Sequence, residues 1–567
     1  MITIKIAAYA GEGAFSIGNI ISKLFAKIGY YVIGYPEYPS LIKGGLNVFY
    51  VTISENRINS PHIIGDVLIS IGKDGYKFLK DGMKKDGLIL GDENIPEGYK
   101  IPINSFNLNP KVKNILLTAV ALASFNFPKE IFIEAVKNQF KSKSEDIINQ
   151  NILAIEKGYQ YAKENGIFYK ELKPINRNIF VATGNEIFGM GAIRGGMKFA
   201  AFYPMTPASS LFHYLISVRD KAKIWVVQAE DEIAAANMAI GANYAGVRAL
   251  TGTSGGGFAL MTETVSMVGI SETPMVYFVS QRVGPSTGMP TWTEQADLFQ
   301  IWGAGQGEFL KIILAPGTPE EIYSLMQKSF NLAQKYQLPV FVLSDKFLSE
   351  TIFPIEKFEE EPIQTGKLIF QDMEELEPGK RFLRYSLEQD GISYMPIPGV
   401  KGGYHVASSY EHMEDSFSTE NFEIRKKQVE KRMKKIESIL KNENTIPKIY
   451  SKNSNKAIIC WGSQVLPLLD SNIDMDVIHF SWIYPLDSEK IKNILNKYEK
   501  IGILENNSTF VFYRFLRMFV DFKADFFISK YTGRPFFSYQ IERAIKENLS
   551  SISEHIDTYE LYTPWRY

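Results

Sequence analysis

Thr206, Glu232 and Arg282 are the side chains of this 567-residue chain best placed for chemistry. Thr206 lies in Tyr203-Pro204-Met205-Thr206-Pro207, between an apolar run and an amphipathic one. Two prolines around it hold the backbone out of helix and present one hydroxyl from a stiff turn. A turn threonine bonding its own backbone has the same sequence. Glu232 opens EIAAANMAIGANYAG, whose Ala234, Ala235, Ala239 and Gly241 allow close packing around a buried carboxyl. Burial raises a carboxyl's pKa, and a protonated or proton-sharing carboxyl can donate to a ring nitrogen. Glu230 and Asp231 compete for that role, and acids at a helix start also complement the macrodipole without any chemistry. Arg282 follows PMVYFVSQ at a strand end, where α/β sheets place ligands. Its guanidinium can grip a carboxylate through two parallel hydrogen bonds, or close a surface salt bridge.

Two loops accompany these residues. Thr253-Ser254-Gly255 begins the glycine turn TSGGGF, which lets backbone approach a ligand closely. Thr287 and Thr291 lie in GPSTGMPTWTEQ, directly after Arg282. The early GEG at Gly11 lacks the third glycine of a dinucleotide fingerprint, so a dinucleotide-dependent dehydrogenase rests on that turn alone. The six histidines are scattered without ligand spacing. His412, in EHMED, reads as structural.

The elements that must position these residues read as α/β throughout. At roughly 100–200 residues per domain, the length implies about three to five domains. The first region, 1–170, opens with the strand ITIKIAAYA, a glycine turn, the helix IGNIISKLFAKIGY and the strand YVIGYPEY, an order that implies a parallel layer. The lysine-rich stretch 139–178 reads as linking helix and loop, with 171–178 the linker proper. The second region, 179–354, alternates the strands AAFYP, KIWVVQ, VRALTGTS, TPMVYFVS and LPVFVLS with helical patterns, as a doubly wound sheet does. Residues 355–444 form an irregular linker ending in a basic helix. In that helix Val429, Met433, Ile436 and Leu440 recur at helical spacing, so its lysines and arginines are expected on a solvated face. The last region, 445–567, is a compact α/β domain with the strands KAIICWG, DVIHFSW and KIGILEN.

Composition narrows the function. A net charge of −1 argues against a nucleic-acid binder, which shows a basic excess. No window approaches ~20 uninterrupted apolar residues, so no membrane span is expected. The N-terminal stretch lacks the features of a secretory signal. Cys460 is the sole cysteine, which fits a reducing cytoplasm and excludes a [4Fe–4S] cluster held by four cysteines of this chain.

Together, YPMTPASS, QAEDEIAAANMAIGANYAGVRALTGTSGGGF and SQRVGPSTGMPTWTEQADL resemble the α subunit of the 2-oxoacid:ferredoxin oxidoreductases, thiamine-diphosphate enzymes that make acyl-CoA. YPEYPSLIKGGLNVFYV resembles their γ domain, fused ahead of the α part. CWGSQ, FSWIYPLD, LENNSTF and YTGRPF resemble their transketolase C-terminal-like domain. The resemblance implies a thiamine pyrimidine-binding domain over 179–354. It makes Glu232 the carboxyl on the aminopyrimidine, and Pro204, Thr253, Ser254 and Gly255 its neighbours. Tyr203, Thr206, Arg282, Thr287 and Thr291 would face the 2-oxoacid. Lys43, in the basic-Gly-Gly turn, would face the active site or the coenzyme A path. Asn506 and Arg534 would line a subunit contact.

Three positions depart from the family pattern. Met205 replaces isoleucine, Gly256 replaces proline, and Trp292 stands where lysine is common, which implies an altered oxoacid preference. They also support the rival reading, a noncatalytic or regulatory α-like subunit. The Gly-Asp-Gly motif of magnesium-thiamine sites is absent: Gly65-Asp66-Val67 and Gly91-Asp92-Glu93 have the wrong context. Mg²⁺ and the [4Fe–4S] cluster are therefore expected on a separate β subunit that shares the thiamine diphosphate. The complex would convert a 2-oxoacid and coenzyme A to acyl-CoA and CO2 and pass electrons to ferredoxin. 2-Oxoglutarate is favoured because fused γ–α chains are often of that type, with pyruvate the other candidate.

Overall fold

Isoleucines in alternation over the first residues make a strand, and the glycine turn after it releases the chain into the helix Ala14–Lys27. The structure, a computed structural model, describes residues 1–40, 44–377, 380–548 and 550. The described residues divide into two units, Met1–Thr183 with Glu350–Lys357, and Gly184–Ser349 with 358–550.

In the first unit an eight-stranded sheet has Ile2–Tyr9 near its middle. That strand pairs parallel with Gly65–Ser70 and antiparallel with Leu46–Ser54. The next strand, Tyr31–Glu37, is therefore parallel to the first, as the strand–helix–strand order implied, but Leu46–Ser54 is inserted between them. The layer is mixed, because a hairpin-like return costs fewer residues than a second crossover. The 139–178 stretch is more than a link. Its helix Glu145–Glu164 buries Ala154, Ile155, Gly158 and Ala162 and packs on the helix Lys113–Ala123. Two strands that the sequence reading did not single out, Phe180–Thr183 and Ile352–Ile355, lie at the two ends of the second region and close one edge of this first sheet. Four apolar residues mark a strand without saying which sheet it joins.

The second unit contains a seven-stranded sheet in the order Trp482–Tyr484, Ile312–Leu314, Pro339–Asp345, Met275–Gln281, Ala249–Thr253, Phe199–Phe202, Trp225–Gln228. All neighbours are parallel except the Trp482–Tyr484 edge. The five expected strands are present. Ile312–Leu314 was too short to announce itself. A five-stranded sheet, Lys448–Tyr450, Asp476–Phe480, Lys456–Trp461, Lys500–Glu505 and Phe526–Ser529, follows. One apolar core joins the two, with Phe258, Tyr277 and Phe341 in the same cluster as Trp461, Phe480 and Phe512.

The basic helix, Phe422–Asn442, reverses the sequence expectation. It buries Gln428, Lys431, Arg432, Lys435 and Ile439, while Met433 is exposed. Lys431 Nζ and Lys435 Nζ lie 2.7 and 2.6 Å from the two carboxylate oxygens of Glu272. Glu272 ends the helix Gly255–Ser271, and Arg384 donates to the Ser271 and Glu272 carbonyls at 3.3 and 2.9 Å. Cations at this end satisfy orphan carbonyls and complement the helix dipole. Arg432 grips Glu411 with two bonds of 2.8 and 2.7 Å. A hydrophobic period cannot reveal a face whose buried residues are paired charges.

Burial alone would raise the Glu272 carboxyl, but Lys431, Lys435 and Arg384 hold it well below the usual carboxylate range. Its contribution is complete above that range and is lost as the pH falls through the depressed value. Glu272→Gln leaves two buried ammonium groups without their counter-charge. It is expected to cost about 3–5 kcal/mol in denaturant unfolding at neutral pH, with the gap to wild type narrowing in acid. A loss below about 1 kcal/mol would show a pair of merely surface strength.

Candidate functional site

The parallel strands of the second unit end at one edge, and the site lies there. After Phe199–Phe202 the chain enters the Tyr203–Pro207 turn and then the helix Ser209–Ala222. Asn185, fully buried, ties this turn down by donating to the Pro207 carbonyl at 2.9 Å and to Ser210 Oγ at 2.6 Å. Arg282, the first residue beyond Met275–Gln281, donates from Nη1 to the Thr206 carbonyl at 2.7 Å. The arginine and the threonine turn are thus joined, through backbone rather than through the Thr206 hydroxyl. Burial lowers the Arg282 pKa somewhat, which leaves it a cation.

Of the three competing acids, the structure separates the roles. Asp231 caps the helix Glu232–Tyr244, accepting from the Ala234 N–H at 2.7 Å. Glu230 is exposed. Glu232 is 3% exposed, and its Oε1 has no hydrogen-bond partner. A Cβ on Gly257 would come within 2.6 Å of that oxygen and would collide with Thr253 Oγ1, so only glycine leaves both groups in place. Thr253 Oγ1 points at Met205 Sδ, 3.7 Å away, which links the glycine turn to the threonine turn. Ser254, at the N-cap of Gly255–Ser271, is fully buried, and its Oγ also lacks a partner.

These elements enclose a cavity of about 560 Å3. Met205, Ser254, Gly255, Arg282 and Thr287 line it. Glu232 and Thr253 lie behind Gly257. Tyr203 and Pro204 are exposed on the turn beside it, whereas Thr291 is buried and does not line the cavity. Lys43 lies outside the described residues.

Two acids escaped the sequence reading. Asp297 stands at the N-cap of the short helix Leu298–Trp302 without capping it. Its carboxyl instead packs on Gly255 in the cavity wall, where an added Cβ would collide with it. Burial pushes this carboxyl up to about 6, with Arg282 pulling the other way. An acid before an apolar stretch reads simply as a cap, so no signal set it apart. Asp345, at the end of Pro339–Asp345, is buried and accepts from Thr293 Oγ1 (3.2 Å), Gln295 Nε2 (3.1 Å), the Leu348 N–H (2.9 Å) and Ser463 Oγ. It fastens the loop after Arg282 to the region of the five-stranded sheet.

That loop makes a further correction. Asn506 and Arg534, expected at a subunit contact, are buried inside the unit. Asn506 Nδ2 donates to the Lys530 and Arg534 carbonyls at 2.7 and 3.2 Å, and its own carbonyl accepts from the Gln295 N–H. The Arg534 guanidinium carbon stands 2.9 Å from the centroid of the Trp292 ring. His412 is fully buried, stacks on Tyr385 at 4.0 Å, and is pushed down to about 4 chiefly by burial, so it is a neutral packing residue. Burial raises the Cys460 thiol well above its ordinary value, which makes it inert. Among the described residues no group of three or more His, Cys, Asp or Glu is arranged to hold a metal ion, and no helix is long and apolar enough to cross a membrane.

Comparison with known proteins gives the family and the fold that the chain resembles. Residues 190–431 match the family described as pyruvate flavodoxin/ferredoxin oxidoreductase, thiamine diphosphate-binding. Residues 3–161 match pyruvate ferredoxin/flavodoxin oxidoreductase. The chain is 32% identical to a 2-oxoacid:ferredoxin oxidoreductase subunit alpha of Sulfolobus sp, over 94% of this chain and 95% of that one. It is 30% identical to a 2-oxoglutarate synthase subunit KorA of Methanocaldococcus jannaschii, over 64% of this chain and 98% of the relative. Its fold is similar, with a TM-score of 0.87 at 28% identity, to the structure of 2-oxoglutarate:ferredoxin oxidoreductase from Magnetococcus marinus with 2-oxoglutarate, coenzyme A and succinyl-CoA bound, covering 96% of this chain and 99% of that one.

Asp345→Ala removes the acceptor shared by four donors, two of them on the loop and one, Ser463, beside the five-stranded sheet. It is expected to cost about 3–5 kcal/mol, the range for breaking a buried network. Limited proteolysis should then cut within 284–289 faster than in wild type. Unchanged cleavage there would mean that the loop is held by other contacts.

Proposed function

Because the chain belongs to the α-subunit family of the 2-oxoacid:ferredoxin oxidoreductases, we propose that its cavity is one wall of a thiamine site completed by a separate β subunit. There a 2-oxoacid would be decarboxylated oxidatively, its acyl group transferred to coenzyme A, and its electrons passed to ferredoxin. The observation that carries this reading is the buried Oε1 of Glu232, left without a partner beside a glycine. A desolvated acceptor of this kind is costly unless a ligand supplies its hydrogen bond. Thiamine diphosphate, when bound, supplies the electron sink for decarboxylation.

The chain's own residues suit the remaining tasks. Glu232 holds a proton on Oε1 or accepts one there, shielded from water. Ser254 Oγ offers a second buried hydroxyl at the cavity wall. Arg282 has one N–H committed to the Thr206 carbonyl, which fixes its head and leaves its other donors for the carboxylate of the 2-oxoacid. Thr206, Tyr203 and Thr287 flank that position. Pro204, Thr253 and Gly255 shape the cofactor side. The first unit then contains the γ-type portion, and the five-stranded sheet belongs to the transketolase C-terminal-like portion.

The β subunit carries, on this reading, the Mg²⁺ for the diphosphate and the [4Fe–4S] cluster, since the 567 residues hold a single cysteine. Exposed apolar side chains on the two helices that border the site support a partner there: Ile233, Met238 and Leu260 are 47%, 39% and 51% exposed. A reducing cytoplasm suits that chemistry.

In a reconstituted α–β complex, Glu232→Gln should leave assembly intact and lower turnover by roughly 100-fold or more, the usual scale for a proton-handling group. Unchanged turnover would remove Glu232 from its role. The lone chain should neither retain thiamine diphosphate nor reduce a dye with any 2-oxoacid. A noncatalytic α-like subunit would leave the reconstituted complex inactive as well.

A further inference from the structure

Arg282 and Asp297 both line the cavity, and each lies in the other's field without closing an ion pair. They stand on different elements. Arg282 follows Met275–Gln281, with its Nη1 committed to the Thr206 carbonyl at 2.7 Å. Asp297 precedes Leu298–Trp302, and its backbone N–H donates to Gln281 Oε1 at 3.0 Å. Gln281 adjoins Arg282, so this bond ties the acid's backbone to the strand end that carries the arginine. The Asp297 side chain does not cap its own helix. It packs on Gly255, where an added Cβ would collide with its carboxylate. From the same short helix Gln300 Nε2 donates to the Gly255 carbonyl at 3.0 Å. Backbone and packing thus hold the carboxyl at the wall, and its charge is left to the cavity.

Resting on the functional reading above, we propose that Asp297 is a positioning residue that acts through Arg282 and couples binding of the 2-oxoacid carboxylate to uptake of one proton. In the free site the guanidinium offsets the Asp297 charge. A carboxylate docked on Arg282 takes over that compensation and brings a second negative charge into the same enclosed space. Asp297 then accepts a proton from solvent and returns it when the ligand leaves. One anion arrives and another is neutralised, so the charge of the cavity stays constant. Glu294 is the competing titratable group. It accepts from the Gly284 N–H at 3.4 Å and is raised by burial, but it does not line the cavity. Glu232 lies behind Gly257, and the start of Gly255–Ser271 presents Gly255, Gly256 and Ala259, none of them titratable. Burial pushes the free Asp297 carboxyl up to about 6 against the pull of Arg282, so it is ionised at neutral pH and easily protonated. A second anion about 10 Å away, in an effective dielectric of about 20, opposes that ionisation by a further factor of about ten. Affinity is therefore highest below about pH 6, where free and bound sites are both protonated. It falls as the pH rises through that value, until the bound site ionises as well.

The test is equilibrium binding of oxamate, an isostere of pyruvate with the same carboxylate, to the reconstituted complex loaded with thiamine diphosphate. Titration calorimetry between about pH 5 and 8, in buffers of different ionisation enthalpy, gives both Kd and the protons exchanged. The wild-type Kd should rise about tenfold across that range, with about half a proton taken up per oxamate near pH 6.5. Asp297→Asn should bind with a flat Kd and no proton uptake, and Glu294→Gln should behave as wild type. A pH-independent wild-type Kd, uptake that survives in a folded Asp297→Asn complex, or uptake lost in Glu294→Gln overturns the assignment. Should Asp297→Asn fail to assemble, the wild-type proton count and its retention in Glu294→Gln decide. Turnover of 2-oxoacids is read on the same preparation. A complex that turns them over but binds oxamate without a proton, or not at all, refutes the role of Asp297 and keeps the functional reading. A complex inactive with every 2-oxoacid that still takes up the proton refutes the functional reading and leaves the coupling of Asp297 to a bound carboxylate standing.

Discussion

A carboxyl taken out of water with one oxygen unbonded is the constraint around which this site is organised. Glu232 is held at the first turn of a helix rich in alanine, whose Ala235, Ala236 and Ala239 are fully buried. The small side chains let that helix press onto the sheet, and the pressure is what excludes water from the carboxyl. Asp231 removes the rival use of Glu232 by capping the helix itself. Gly257 removes the steric rival, since any side chain there would displace Glu232 or Thr253. Each of these features costs stability or restricts sequence, and each makes sense if the free oxygen is reserved for a ligand.

The helix Gly255–Ser271 transmits that organisation through the unit. Its first residue faces the cavity, and its last meets Glu272, where Lys431, Lys435 and Arg384 converge. A buried ion cluster is weak in net stabilisation but narrow in geometry. It sets where the far end of the helix lies, and a helix of 17 residues is stiff enough for that to position its N-terminus. Asp345 acts in the same way on the loop after Arg282, by gathering donors from the loop, from its own turn and from the five-stranded sheet. The polar linker and the last region, which have no part in the cavity wall, thus hold the wall in register.

The sequence disclosed what lies at the ends of regular elements. Arg282 follows a β-rich run, Glu232 precedes a run of small residues, and Ser254 sits in a glycine turn, so their types and neighbours mark them. The mixed pairing of the first sheet was not legible, because it depends on a strand returning between two others. Asp297 was hidden because it occupies a position where an acid is ordinary. The Glu272 cluster was hidden for the opposite reason, since a lysine-rich helix face normally meets solvent, and only the tertiary structure brings its counter-charge from 159 residues away. Asn506 and Arg534 were recognised as notable residues but assigned to the wrong surface. Their contacts are with the Arg282 loop of the same chain.

The central claim is that Glu232 Oε1 awaits a ring nitrogen of thiamine diphosphate. A structure of the chain with its β subunit and the cofactor bound tests this most directly. The account predicts Glu232 Oε1 at hydrogen-bond distance, about 3 Å, from the aminopyrimidine ring, with the Arg282–Thr206 link retained. A cofactor ring held by other groups, with the Glu232 carboxyl bonded within its own chain, would contradict it.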